Sequence, residues 1–204
     1  MKEKLNLILE EKNILPFWTI MDIPEALEIA GVLVRAEVPV VEIAFRSEYA
    51  LPGIRELKKV DGLLVGAGTV KTPEEARKAL EAGADFIVSP GYMDEIVDIC
   101  QEAGVPVYPG VVTPGEILKG YQKGIRDFKF FPAEAYGGTA TLKALKGPFP
   151  DIRFLPTGGV EKENYRDYTA LSNVLAVGGS FIIPKDLVKE KDWAGLERHI
   201  RGLV

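Results

Sequence analysis

The sequence predicts an α/β chain folded as one (β/α)8 TIM barrel, and three observations carry that expectation. Short apolar, β-branched runs recur eight times, with starts separated by 25, 23, 22, 21, 21, 25 and 22 residues. Each run is followed by a polar stretch whose apolar residues return with helical periodicity. No composition shift, linker or low-complexity segment divides the 204 residues, so one barrel is expected to occupy 1–204 as a single domain.

The elements follow in order. A first strand is expected at 15–20 and a helix at 24–36; a second strand at 40–45 precedes a helix at 49–60. Strand three, 63–66, leads to a helix at 73–82, where Thr72-Pro73-Glu74-Glu75 offers a capping hydroxyl, proline in the first turn and a glutamate three residues on. Strand four, 85–89, precedes a helix at 93–103, and strand five, 106–110, a helix at 114–122 opened by Thr113-Pro114-Gly115-Glu116. Strands at 127–131, 152–157 and 174–178 alternate with helices at 139–145 and 164–170, and a last helix is expected over 192–202. Gly31, Gly83, Gly104 and Gly124 are expected to supply the left-handed stops between helix and strand.

Composition removes several function classes. The balance of 25 Lys and Arg against 30 Asp and Glu gives a net charge of −5, which disfavours nucleic-acid and anionic-membrane partners because phosphate attraction needs concentrated positive charge. A lone cysteine, Cys100, forms no internal disulfide and suits a reducing, cytoplasmic setting. With His199 the one histidine, zinc clusters and histidine-based nucleophilic catalysis lose their ligands, and no metal or cofactor is expected. His199 itself reads as a solvated or capping residue, Cys100 as a small core hydrophobe, and Trp18 as core whose strand end can reach a pocket. No apolar run is long enough to span a membrane, and the N-terminus lacks a signal-like apolar core.

Polar residues that interrupt the strands locate the chemistry. In a barrel, alternate residues face the interior. With Val41, Ile43 and Phe45 facing the helices, Glu42 points inward and Arg46 follows at the C-terminal mouth, where barrels place active sites. With Phe128 and Phe130 outward, Lys129 and Phe131 point inward. A Glu42–Lys129 pair can be a packing device alone. Alternatively, an amine among aromatic rings loses hydration that favours its charged form, and the free amine attacks carbonyl carbon. Glu42 is then the inward carboxylate available to move protons. Gly158-Gly159 and Gly178-Gly179-Ser180 close the last two strands, the place where barrels commonly bind phosphate through backbone N–H groups. Thr69 supplies a hydroxyl at the mouth, and Ser89-Pro90-Gly91 a tight rim turn.

These residues also carry a resemblance. Val41-Glu42-Ile43-Ala44-Phe45-Arg46, Gly66-Ala67-Gly68-Thr69-Val70, Ile87-Val88-Ser89-Pro90-Gly91, Pro109-Gly110-Val111-Val112-Thr113-Pro114, Phe128-Lys129-Phe130-Phe131-Pro132-Ala133-Glu134, Lys146-Gly147-Pro148-Phe149-Pro150, Pro156-Thr157-Gly158-Gly159-Val160 and Val177-Gly178-Gly179-Ser180 occur in one collinear order. In this the chain resembles the bacterial 2-keto-3-deoxy-6-phosphogluconate (KDPG) and 2-keto-4-hydroxyglutarate (KHG) aldolases. The resemblance implies a homotrimeric, metal-independent class I aldolase of the cytoplasm. It makes Lys129 the Schiff-base lysine and Glu42 the acid/base residue. It places the pyruvyl carboxylate near Arg46, Thr69 and the backbone at Pro90, and the phosphate near Gly158, Gly159, Gly178, Gly179 and Ser180. Thr157 is what the phosphogluconate-type members show. Ala44, where relatives carry Thr, Phe181, where many carry Trp, and the Phe17-Trp18 pair depart from the family pattern in the acceptor region.

The function expected is retro-aldol cleavage of a phosphorylated keto acid, KDPG, to pyruvate and glyceraldehyde 3-phosphate. KHG or the galactonate-series phosphate is the alternative substrate. A phosphate-binding barrel isomerase or synthase without a covalent intermediate is the alternative of another class.

Overall fold

A computed structural model describes residues 2–204. Its strands are β1 (Ile14–Trp18), β2 (Val40–Ala44), β3 (Leu64–Gly68), β4 (Phe86–Val88), β5 (Val107–Tyr108), β6 (Gly110–Val111), β7 (Asp127–Phe130), β8 (Arg153–Pro156) and β9 (Val177–Gly179). The helices are α1 (Lys2–Lys12), α2 (Ile23–Arg35), α3 (Ala50–Leu57), α4 (Pro73–Glu81), α5 (Asp94–Glu102), α6 (Pro114–Gln122), α7 (Gly138–Lys146), α8 (Tyr165–Thr169), α9 (Lys185–Lys189) and α10 (Trp193–Arg201).

All strand pairs are parallel, as expected when helices cover a sheet's outer face. Six strands form one curled sheet in the order β5-β4-β3-β2-β1-β9, and three form a second, β6-β7-β8. The single bridges Phe154↔Val174 and Thr157↔Gly178 link the second sheet to the first. The fifth expected strand is split, because Pro109 has no N–H to continue the ladder. Its carbonyl instead accepts the Lys129 N–H at 3.0 Å.

The alternation read from the sequence holds where the site depends on it. Val41 and Ile43 pack against Ala26, Ile29 and Leu33 of α2. Phe128 lies against Gly120 of α6, and Phe130 meets Phe154 edge-on at 6.0 Å. Thr72 caps α4, and Thr113 with Glu116 forms a complete capping box on α6. Gly83, Gly104 and Gly124 take positive φ, as expected. Gly31 does not: it sits inside α2, and Glu37 takes the left-handed position instead.

Two helices escape the sequence reading. The apolar periodicity puts a strand first, yet α1 precedes it with Leu5 and Leu9 fully buried. Its polar residues reach the N-terminal ends of distant strands: Lys2 and Asn6 meet Asp127, Glu10 meets Arg153, and Tyr108 donates to Asn6. The short α9 follows β9 and borders the opposite, C-terminal end. Among the described residues, no helix is long and apolar enough to cross a membrane.

Candidate active site

A cavity of about 780 Å³ opens at the C-terminal ends of the strands. Lys129 rises from β7 at its floor, only 4% exposed, and Glu42 of β2 is 1% exposed beside it. The Lys129 Nζ lies 3.5 Å from Glu42 Oε1 and 5.2 Å from the centre of the Phe131 ring. The two charges compensate each other where water is scarce, which a buried pair requires. Gly68 makes room for the carboxylate. A Cβ there would stand 2.1 Å from Glu42 Oε1, so β3 must carry glycine opposite the acid.

Arg46, Thr69, Pro90, Phe131, Thr157, Gly158, Gly159, Gly179 and Ser180 all line this cavity. Gly178 does not. It lies behind Thr157, where a Cβ would come 2.7 Å from Oγ1, and so makes space for that side chain. Arg46 is exposed, with its guanidinium carbon 5.3 Å from the Phe17 ring centre and no carboxylate paired to it among the described residues. Thr69 holds φ +60°, a left-handed conformation costly for a β-branched residue. Strain of this kind is stored where a surrounding site fixes the backbone.

Gly158 and Gly159 form the opposite wall, both left-handed at φ +92° and +78°. The N–H groups of Gly159 and Val160 find no acceptor among the described residues. Consecutive unpaired amides in such a turn make an anion-binding concavity.

Part of the rim escapes the sequence reading. Lys185 and Lys189 of α9 line the cavity, as do Glu25, Glu161 and Thr19. Burial, reinforced by neighbouring Asp22 and opposed by Lys191, holds the Glu25 carboxyl above the usual carboxylate range. The i, i+4 spacing of the two lysines just after the Gly-Gly-Ser turn is the signal that could have found them. Trp18 reaches the cavity while packing against α2, and its Nε1 is buried without a partner among the described residues. His199 is half-buried rather than solvated, and its Nε2 lies 2.8 Å from the Phe181 carbonyl, tying α10 to the turn after Ser180. Cys100 is fully buried, and burial pushes its thiol up to about 12. No cluster of three or more potential metal-ligating side chains occurs among the described residues.

Known proteins resemble this chain in sequence and shape. The family model for KDPG and KHG aldolase matches residues 5–199. A 2-dehydro-3-deoxy-phosphogluconate aldolase of Pseudomonas aeruginosa is 43% identical over 196 residues, covering 96% of this chain and 89% of that protein. The KHG/KDPG aldolase of Escherichia coli is 39% identical over 198 residues, 97% of this chain and 93% of its own length. Among solved structures, the Legionella pneumophila KDPG aldolase with pyruvate captured as a covalent carbinolamine superposes with a TM-score of 0.93 at 34% identity, covering 100% of this chain and 99% of that one. The Zymomonas mobilis enzyme with 3-phosphoglycerate gives a TM-score of 0.90 at 31% identity, covering 100% and 98%.

Proposed function

This chain belongs to the KDPG and KHG aldolase family, and we propose which of its residues perform that family's chemistry. It is a carbon–carbon lyase, a class I aldolase that cleaves KDPG to pyruvate and glyceraldehyde 3-phosphate. The observation that carries the residue assignment is the 3.5 Å contact between Lys129, which lines the cavity, and Glu42, buried behind it.

Glu42 takes a proton from the Lys129 ammonium, and the free amine adds to the C2 ketone to give a carbinolamine. The Glu42 carboxyl then protonates the departing hydroxyl, which leaves as water and creates the iminium. As a carboxylate again, Glu42 removes the C4 hydroxyl proton. The C3–C4 bond breaks, its electron pair flows into the iminium, and glyceraldehyde 3-phosphate departs from an enamine. Protonation at C3 and hydrolysis of the imine release pyruvate and regenerate the amine. Arg46 binds the C1 carboxylate, for which a planar guanidinium is suited, and Thr69 and the backbone at Pro90 hold the pyruvyl end. Phe131 and Thr157 flank the reacting carbons. The backbone of the Gly158-Gly159 turn, with Gly179 and Ser180 alongside and Gly178 behind Thr157, seats the phosphate.

The same reading extends to the assembly and the fold. The strands form one closed eightfold barrel comprising the whole chain as a single domain, supported by the two bridges and by one contiguous buried core. The enzyme works in the cytoplasm as a homotrimer on a small phosphorylated keto acid, without nucleic-acid or membrane partners, a reading its acidic charge of −5 supports. Pyruvate added together with borohydride tests the assignment. Peptide mapping is expected to find the reduced adduct on Lys129, and an adduct on another lysine overturns it.

A further inference from the structure

We infer that Asn164, held in place by Glu134 and Tyr168, is a positioning residue that aims the amides of the Gly158–Val160 turn at the phosphate of the substrate. The inference rests on the assignment of that turn to the phosphate.

In a trans peptide unit the C=O and the following N–H point in opposite directions. Fixing a carbonyl on one side of the loop therefore aims the next amide at the other. Three successive carbonyls are fixed in this way. The Thr157 carbonyl accepts the Ala133 N–H at 2.9 Å, and the Gly158 carbonyl accepts the Glu134 N–H at 3.1 Å. The third, Gly159, accepts from the Asn164 Nδ2 at 3.0 Å. The last two of these ties turn away the unpaired N–H groups of Gly159 and Val160, two residues that line the cavity.

The first two carbonyls are held by backbone and survive any side-chain change. The third depends on one amide side chain. Asn164 also accepts the Glu161 N–H on its Oδ1 at 2.8 Å, closing the loop over Val160. Glycines at φ +92° and +78° have many other conformations open to them, so the loop needs an outside tie to stay in one.

The tie is itself fixed from behind. Glu134 Oε1 accepts from Asn164 Nδ2 at 3.4 Å and from the Tyr168 hydroxyl. Burial and the neighbouring Glu134 carboxylate push the Tyr168 phenol up, so it remains a donor at neutral pH. Gly159 packs directly on this group, since a Cβ there would lie 2.6 Å from Glu134 Cβ. Glu134 occupies the position behind the loop, and Asn164 converts that position into the orientation of an amide.

The test compares KDPG with 2-keto-3-deoxygluconate, the same keto acid without its phosphate. Asn164→Ala is expected to raise KM for KDPG about tenfold, the loss associated with one hydrogen bond to a charged group, with kcat little changed. For the unphosphorylated acid, kcat/KM should move less than about twofold, and borohydride trapping of pyruvate on Lys129 should be unchanged. Glu134→Gln keeps an acceptor for both donors and should stay near wild type, whereas Glu134→Ala should follow Asn164→Ala. Equal losses on both substrates, or no loss on KDPG, overturn the inference. If Ser180→Asp also leaves KDPG unaffected, the phosphate assignment itself falls, which separates the two failures.

Discussion

Lys129 and Glu42 stand 87 residues apart in the chain and 3.5 Å apart in space. Each is a charged residue in the middle of an apolar strand, and each is tolerated because the other is there. Lys129→Arg keeps the charge and approximate length but removes an amine that can lose its proton. It should fold, give no adduct with pyruvate and borohydride, and lose essentially all turnover; an active variant would contradict the imine mechanism. Glu42→Gln keeps the shape that Gly68 accommodates but cannot carry a proton back and forth. Its turnover should fall by about 10² to 10⁴, the usual contribution of general acid–base catalysis, while labelling of Lys129 persists at longer times. Turnover close to wild type would remove Glu42 from the proton path.

Among the elements, the loops after β8 and β9 lie side by side on the cavity, where a Cβ on Gly179 would stand 3.0 Å from the Val160 carbonyl oxygen. Gly179 is a poor position to probe, because a Cβ there would sit 2.6 Å from the Phe181 ring and disturb packing. Ser180 is exposed and lines the same wall. Ser180→Asp should cut kcat/KM for KDPG by about 10²-fold, since like charges juxtaposed at a binding site cost several kcal/mol. The unphosphorylated acid should lose much less, and an equal loss on both would mean that the change damages the fold. Helix α1 works at the other end. Leu9 is fully buried there, so Leu9→Ala should lower stability by about 2 to 5 kcal/mol in chemical denaturation. Because α1 meets the N-terminal ends of the strands, kcat/KM at low temperature should be unchanged; a kinetic loss would link the two ends.

Over the molecule as a whole, charge is distributed against its average. The chain carries −5, yet around the self-compensating Lys129–Glu42 pair the cavity is lined by Arg46, Lys185 and Lys189 against Glu25 and Glu161. A cationic cleft in an acidic protein concentrates anionic substrate without attracting polyanions to the remaining surface. Raising ionic strength from about 0.01 to about 0.15 M shortens the Debye length from about 30 to about 8 Å. Over that range kcat/KM for KDPG should fall several-fold through KM, and Lys185→Ala combined with Lys189→Ala should flatten the dependence. An unchanged salt slope in the double variant would deny the rim lysines any part in capture.

The repeating strand–helix order, the capping of α4 and α6, and the inward orientation of Lys129 and Glu42 are all legible in the amino-acid order. They rest on periodicity and local chemistry: a strand residue's face follows from counting by two, and a cap from residues three apart. Other features exist only in the folded chain. The helix α1 is illegible because the residues from Lys2 to Lys12 show no clean apolar stripe. Its order comes from Leu5 and Leu9 in the core and from Asp127 and Arg153, more than a hundred residues away. Gly178 and Gly179 look equivalent in sequence, but only the second reaches the cavity, since the bridge to Thr157 turns the first behind it. Asn164 is an ordinary polar residue near a helix start until the chain brings it within 3.0 Å of the Gly159 carbonyl. Such roles are set by where loops converge, and convergence is a property of the packing of all the strands together rather than of any local stretch of sequence.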